Sequence, residues 1–243
     1  MKNCRLRVLD LESTGVDTAN DRIVTAYVGE LDAFGNVIGG REWLIRPDGF
    51  EIPAGATAVH GITTKYAREH GQDFAEAMSE IAVALTGSGV AVSGHNLAYD
   101  MSLLAHELHR AGYPDPVELI ESLNLVDTYV IDKQLVPYRR GSGMRKLTAI
   151  AELYGVTLSD EDAHGAQADA VASGRVALAM LDGELGDLDP ADLHTKQRGW
   201  YRAQAASFEA HKRQTLKNFT LDRNWPLHAP ALALAVPAET PTF

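Results

Sequence analysis

Cysteine is nearly absent from this 243-residue chain. Cys4 is the one thiol, so no internal disulfide can staple the fold. The fold must rest on a core instead, and 45% hydrophobic content at this length suffices for one well-cored domain plus an appendage. Long apolar runs are missing too. No stretch approaches the ~20 residues needed to cross a bilayer, and the opening Met1-Lys2-Asn3-Cys4-Arg5 lacks the apolar region of a secretion signal. The expectation is a soluble, cytoplasmic chain with no membrane partner. Positive charge is scarce, with 22 Lys and Arg against 33 Asp and Glu and a net charge of -11. That excludes a protein that coats nucleic acid by bulk attraction. It leaves room for one that holds nucleic acid where bound cations offset its acids locally.

Residues 5–12 alternate as a strand, with Leu6, Val8, Asp10 and Glu12 on one face. Residues 22–32 and 37–46, rich in Ile, Val, Tyr and Trp, read as further strands around a turn at Ala33-Phe34-Gly35-Asn36. A helix over 74–86 lines up Phe74, Met78, Ile81 and Leu85. Val90-Ala91-Val92 reads as a short buried strand that breaks at Gly94 into a helix over about 98–111. Leu123 to Val126 is another short strand, and helices follow at about 145–154 and 166–182. Three antiparallel strands followed by alternating strands and helices specify an α/β domain with a mixed sheet. We divide the chain into a main domain over 1–183 and a C-terminal extension over 184–243. The extension comprises a linker, a helix over about 190–217 started by Asp189-Pro190, and an extended Pro/Ala-rich tail from Trp225. No internal repeat is present.

Five residues carry candidate chemistry: Asp10, Glu12, Asp100, His164 and Asp169. Asp10 and Glu12 lie two apart on a strand, so both carboxylates point the same way with Cα atoms ~6.6 Å apart. That spacing suits acids converging on two cations ~4 Å apart. Asp100 follows a strand end, a glycine break and a helix start. Asp169 lies in the first turn of the next helix. Either aspartate could serve its helix dipole alone, and Asn96 could serve as an N-cap. His164, in a loop five residues before Asp169, suits a general base acting beside an acid that holds a cation. Singly each signal is weak, but their order, spacing and placement agree.

Asp10-Leu11-Glu12-Ser13-Thr14-Gly15, His95-Asn96-Leu97-Ala98-Tyr99-Asp100 and His164-Gly165-Ala166-Gln167-Ala168-Asp169-Ala170 resemble the three motifs of the DEDDh group of 3′–5′ exonucleases. This is the family of the DNA polymerase III epsilon (proofreading) subunit. Val59-His60-Gly61-Ile62-Thr63 is similar to a segment of its epsilon-like branch. The tail ending in Trp225-Pro226-Leu227 resembles extensions of actinobacterial and actinophage members. The resemblance spans about residues 5–182. It implies the RNase H-like exonuclease fold: α/β, a mixed five-stranded sheet flanked by helices, here with a C-terminal helical extension.

The same resemblance implies a metal-dependent 3′–5′ exonuclease that releases nucleoside monophosphates from the 3′ end of DNA. Asp10, Glu12, Asp100 and Asp169 would hold two divalent cations, Mg²⁺ or Mn²⁺, as hard oxygen ligands favour. His164 would be the general base. Leu11, Ser13, Thr14 and Gly15 would cradle the terminal nucleotide, with Asn96, His60 and Tyr99 as further substrate contacts. His60 serves equally as a loop histidine and Tyr99 as a core aromatic. Asp127 reads as an acid behind the site or as a strand-end cap. The expected partner is a single-stranded or frayed DNA 3′ end, with a replicative polymerase as a second candidate partner, inside a bacterial cell or phage-infected host. The oligomeric state is left open. An RNA 3′-end trimmer and a non-catalytic replication subunit are the alternative functions.

Basic residues concentrate in two places. Lys133, Arg139, Arg140, Arg145 and Lys146 lie within 133–146 without an acid, and Arg139 and Arg140 are the candidate phosphate contacts. A solvated loop is the other reading. The basic helix near 196–217 is open to packing through Trp200 and Phe208, to a protein contact, or to a DNA contact.

Overall fold

The computed structural model describes residues 4–87, 90–158 and 165–235. The chain opens with three strands: β1 (Leu6–Ser13), β2 (Ile23–Leu31) and β3 (Val37–Leu44). Helices α1 (Ala54–His60), α2 (Thr64–His70) and α3 (Phe74–Leu85) follow. Next come β4 (Ala91–Gly94), α4 (Leu97–Arg110), α5 (Pro116–Glu121), β5 (Leu125–Asp127) and α6 (Thr128–Leu135). Then α7 (Leu147–Leu153), α8 (Ala166–Met180), α9 (Pro190–Lys212) and α10 (Ala229–Leu232) complete the described elements. One mixed five-stranded sheet has the order β3-β2-β1-β4-β5. Strands β1 to β3 pair antiparallel, while β4 and β5 run parallel to β1.

Strand β1 is central and covered on both faces, as its nearly unbroken burial requires. Leu9 and Leu11 point into the main core with Met78, Ile81 and Leu85 of α3 and Leu97, Met101 and Leu104 of α4. Leu6 and Val8 point the other way, toward α8. There Gly174 is the point of closest approach. A Cβ at Gly174 would lie 2.3 Å from Val8 and 2.6 Å from Leu31, so only a residue without a side chain lets α8 press onto the sheet.

Three features differ from the sequence expectation. Short helices occupy 54–60, 64–70, 116–121 and 128–135, which show no long apolar stripe; Thr63 caps α2 and Asp127 caps α6. Helix α9 ends at Lys212 rather than near 217. The tail from Trp225 is not simply extended: Trp225 and Leu227 are buried in the main core and Ala231 follows within α10. Large apolar side chains bury themselves wherever a groove accepts them, even from a proline- and alanine-rich segment. Trp200 packs partly against the core, whereas Phe208 is 45% exposed and meets Phe219 edge-on.

Candidate active site

Asp10 and Glu12 sit at the end of β1, opposite Tyr27 and Thr25 of β2. They continue the Leu6–Val8 face, the one pressed by α8. Asp169 lies in the first turn of α8, so the close approach at Gly174 also delivers this carboxylate. One carboxylate oxygen from each of Asp10, Glu12 and Asp169 falls within a common 4.8 Å. Oxygens sharing one cation at Mg²⁺–O lengths of ~2.1 Å lie at most ~4.2 Å apart, so small side-chain adjustments close the set.

Asp100 comes from the other layer. Strand β4 ends at Gly94, where a Cβ would meet Leu97 at 2.4 Å and the Leu9 carbonyl at 3.0 Å. Asn96 then turns through a left-handed backbone (φ 68°), the one non-glycine among the described residues to do so. Helix α4 starts at once, with Asp100 in its first turn and 5% exposed. The Asn96 side chain does not cap the helix. Its backbone N–H donates to Asp127 Oδ1 at 2.9 Å.

Electrostatics ties these acids together. Burial, then the charges of Asp100, Asp169 and Glu12, hold the Asp10 carboxyl well above the usual range. Burial and Asp169 push Glu12 up to about 7. Burial pushes Asp100 up to about 8, with Asp127 and Glu12 adding to it against the pull of backbone N–H groups. Carboxylates so crowded either keep protons at neutral pH or bind cations. All the donors are hard oxygens, which fits Mg²⁺ or Mn²⁺. His164 lies outside the described residues.

The substrate-side residues are more occupied than the sequence suggested. The Leu11 side chain is buried in the core, so only its backbone can face a nucleotide. The Thr14 hydroxyl donates to Asp21 Oδ1 at 2.7 Å. The Tyr99 hydroxyl lies 2.5 Å from the Gly15 carbonyl and 2.6 Å from the Ser13 hydroxyl, so Tyr99 pins the turn after β1 from α4. Its phenol is pushed up to about 12, by burial first. In His60, Nδ1 accepts the Ile62 N–H at 3.1 Å, which leaves the proton on Nε2. That Nε2 is buried beside the Ser13 backbone without a well-formed hydrogen bond among the described residues.

The basic loop is partly spent internally. Asp132, fully buried, takes Arg139 at 2.5 Å and pairs with Arg145 as well. Arg139, the expected phosphate contact, has its guanidinium engaged in neutralising this buried acid. Arg140 and Lys146 are exposed. The Arg145 carbonyl accepts from His95 Nε2 at 2.8 Å, which ties this loop to the segment carrying Asn96 and Asp100. Sequence reading missed His95 as a fixing point, although it lies within the second motif. It also missed Gly174, whose only signal is the small-residue run of α8, and Trp225, which has no local signal.

A mixed five-stranded sheet with acids converging from β1, α4 and α8 defines a nuclease domain of the RNase H-like exonuclease class. The family model described as "Exonuclease" matches residues 8–177, and the chain belongs to that family. It is thus a phosphodiester hydrolase. Among curated proteins it is similar to the DNA polymerase III subunit epsilon of Buchnera aphidicola subsp. Acyrthosiphon pisum, at 25% identity over 76% of each chain. It also resembles the 3′-5′ exonuclease DinG of Bacillus subtilis, at 25% identity over 75% of this chain and 18% of that protein. Among solved structures, E. coli exonuclease I in complex with a dT13 oligonucleotide shares the fold. The TM-score is 0.63 at 24% identity, over 75% of this chain and 42% of that one. A zinc-bound form of the E. coli exonuclease I–ssDNA complex also matches, with a TM-score of 0.63 at 20% identity over 84% of this chain. The chain spans less than half the length of these exonuclease I chains. Among the described residues, no helix is long and apolar enough to cross a membrane.

Proposed function

We propose that this chain is a 3′–5′ exonuclease that removes nucleoside monophosphates from single-stranded or frayed DNA ends, with its exonuclease domain over 1–183 and the extension over 184–243. The observation that carries the reading is the convergence of Asp10, Glu12 and Asp169 within 4.8 Å, with the charge of Asp100 acting on Asp10. These four acids would hold two divalent cations, Mg²⁺ or Mn²⁺. When bound, such ions stabilise charge on the phosphate and make the attacking water more acidic. His164 would be the general base of the site. The backbone of Leu11 and the turn Ser13-Thr14-Gly15 receive the terminal nucleotide. The Nε2–H of His60, weakly matched by the Ser13 backbone, supports a donor role toward the sugar or phosphate at that turn. Asn96 and Tyr99 line the same end, Tyr99 through its ring because its hydroxyl is engaged. Arg140 contacts phosphates further along the strand.

The epsilon-named relatives support DNA as substrate and a polymerase as partner. A gel of 3′- and 5′-labelled single-stranded DNA, frayed duplex and RNA, with Mg²⁺ or Mn²⁺ and with chelator, tests the reading. Stepwise loss from the DNA 3′ end that chelator stops is expected. Faster loss from RNA would transfer the proposal to RNA ends, and no loss from any 3′ end would defeat it.

A further inference from the structure

The family match ends at residue 177, yet the wall behind Asp100 is completed by residues well beyond it. Strand β5 is one of the two edges of the sheet, and an unpaired edge needs partners for its backbone groups. Helix α9 supplies them from side chains. The Leu125 N–H donates to His194 Nδ1 at 3.1 Å. The Asp127 N–H donates to Gln197 Oε1, and Gln197 Nε2 donates back to the Leu125 carbonyl, both at 2.7 Å. The Asp127 carboxylate is 1% exposed and each of its oxygens is engaged. Oδ1 accepts the N–H of Asn96 at 2.9 Å and that of Tyr129 at 3.0 Å. Oδ2 accepts the indole N–H of Trp225 at 3.1 Å. The indole is itself buried against the His194 ring, with centroids 4.9 Å apart.

We propose that Trp225 is a positioning residue for the acid set: its indole N–H fixes the rotation of the Asp127 carboxylate, whose other oxygen holds the left-handed Asn96 turn and thereby sets Asp100 against Asp10. Without the indole, the carboxylate keeps only the N–H groups of Asn96, Tyr129 and Val130 on Oδ1, and its unclaimed Oδ2 draws it toward other donors and away from the Asn96 geometry. Asn96 is where such a release matters. A non-glycine residue keeps a left-handed backbone only while its surroundings hold it there. The inference rests on the assignment of Asp100 to the cation-holding acids. It extends the working site into the segment after residue 184.

Trp225→Phe in the full chain keeps most of the ring and deletes only the donor. The expected result is a shifted Asn96 amide resonance in the metal-free protein. Mn²⁺ affinity, measured by calorimetry without substrate, and kcat are each expected to fall by about 10-fold, the usual scale for groups that orient ligands. KM stays unchanged. The same change in an Asp127→Asn background separates the N–H from simple packing. With its amide nitrogen turned to the indole, the substituted side chain would face it donor to donor, so removing the indole N–H should bring no further loss. Equal losses in both backgrounds would show that only the ring's bulk matters and overturn the proposal. So would an unmoved Asn96 amide with unchanged Mn²⁺ affinity. A wild-type chain that neither binds Mn²⁺ nor cleaves would defeat the exonuclease reading instead, while the Asn96 shift would still report on the Trp225 contact.

Discussion

Helices α4 and α8 each deliver one aspartate to the same end of β1, by different physical means. Helix α8 is set by packing. Its small residues lie flat on the sheet, and Gly174 has no room even for a methyl group. Helix α4 is set by hydrogen bonds. Its start hangs on a left-handed Asn96 whose N–H is held by a buried carboxylate, itself held by Trp225. Packing fixes a helix as a rigid body and tolerates little change in volume. A hydrogen-bonded hinge keeps its volume and depends on every donor being matched. The two acids should therefore respond to different kinds of damage.

The largest effect is expected where the comparison is bypassed. Asp169→Asn leaves both helices in place and removes one carboxylate, so cleavage should be abolished with the fold intact by circular dichroism. Loss of folding instead would mean that Asp169 is structural.

Gly174→Ala strikes the packed helix. Its methyl meets Val8 and Leu31, both rigidly held, and should cost ~1–3 kcal/mol. Each kcal/mol should appear as a fall of about 2–4 °C in thermal midpoint for a chain of this size. Activity should fall with it as Asp169 is displaced. An unchanged midpoint would show that α8 has slack.

The acids also predict a pH effect. The folded carboxyls of Glu12 and Asp100 titrate near 7 and 8, above their ordinary values near 4. Between those values the folded state holds protons that the unfolded state lacks, so metal-free stability should fall as pH rises from about 4 to 8. Denaturant midpoints across this range check it, and saturating Mg²⁺ should flatten the slope. A slope of opposite sign would mean the acids are not crowded.

The smallest effect is expected at Asn96→Gly. Glycine adopts the left-handed turn without strain and keeps the backbone N–H to Asp127, so stability should change by less than about 1 kcal/mol. Mn²⁺ affinity should hold, and any loss should appear in KM, since only the side chain is removed. A large loss of Mn²⁺ affinity would show that the Asn96 side chain, not its N–H, secures α4.

Much of this was legible in the sequence because it is local. Alternation in β1 and the stripe of α3 report which face is buried. The Gly94 break marks the turn into α4, and the three motifs carry the family. The short helices α1, α2 and α6 were not legible, since seven or eight residues give too few turns for a stripe. Asp127 is both a cap and an acid behind the site, two readings that the sequence could only hold apart. Leu11 takes its outward role from the family resemblance and Arg139 from its type, and burial turns the one side chain inward while a buried acid pairs the other.

The order of acids along the chain determined, by itself, the class of chemistry: carboxylates at a strand end and two helix starts mark where cations are held. Tertiary structure alone decided how firmly they are held. Whether α8 can touch β1, whether Asn96 can stay left-handed, and whether a tryptophan from the tail reaches Asp127 all depend on groups distant in sequence. Their contacts exist only once the sheet, its open edge and the groove beside it have formed.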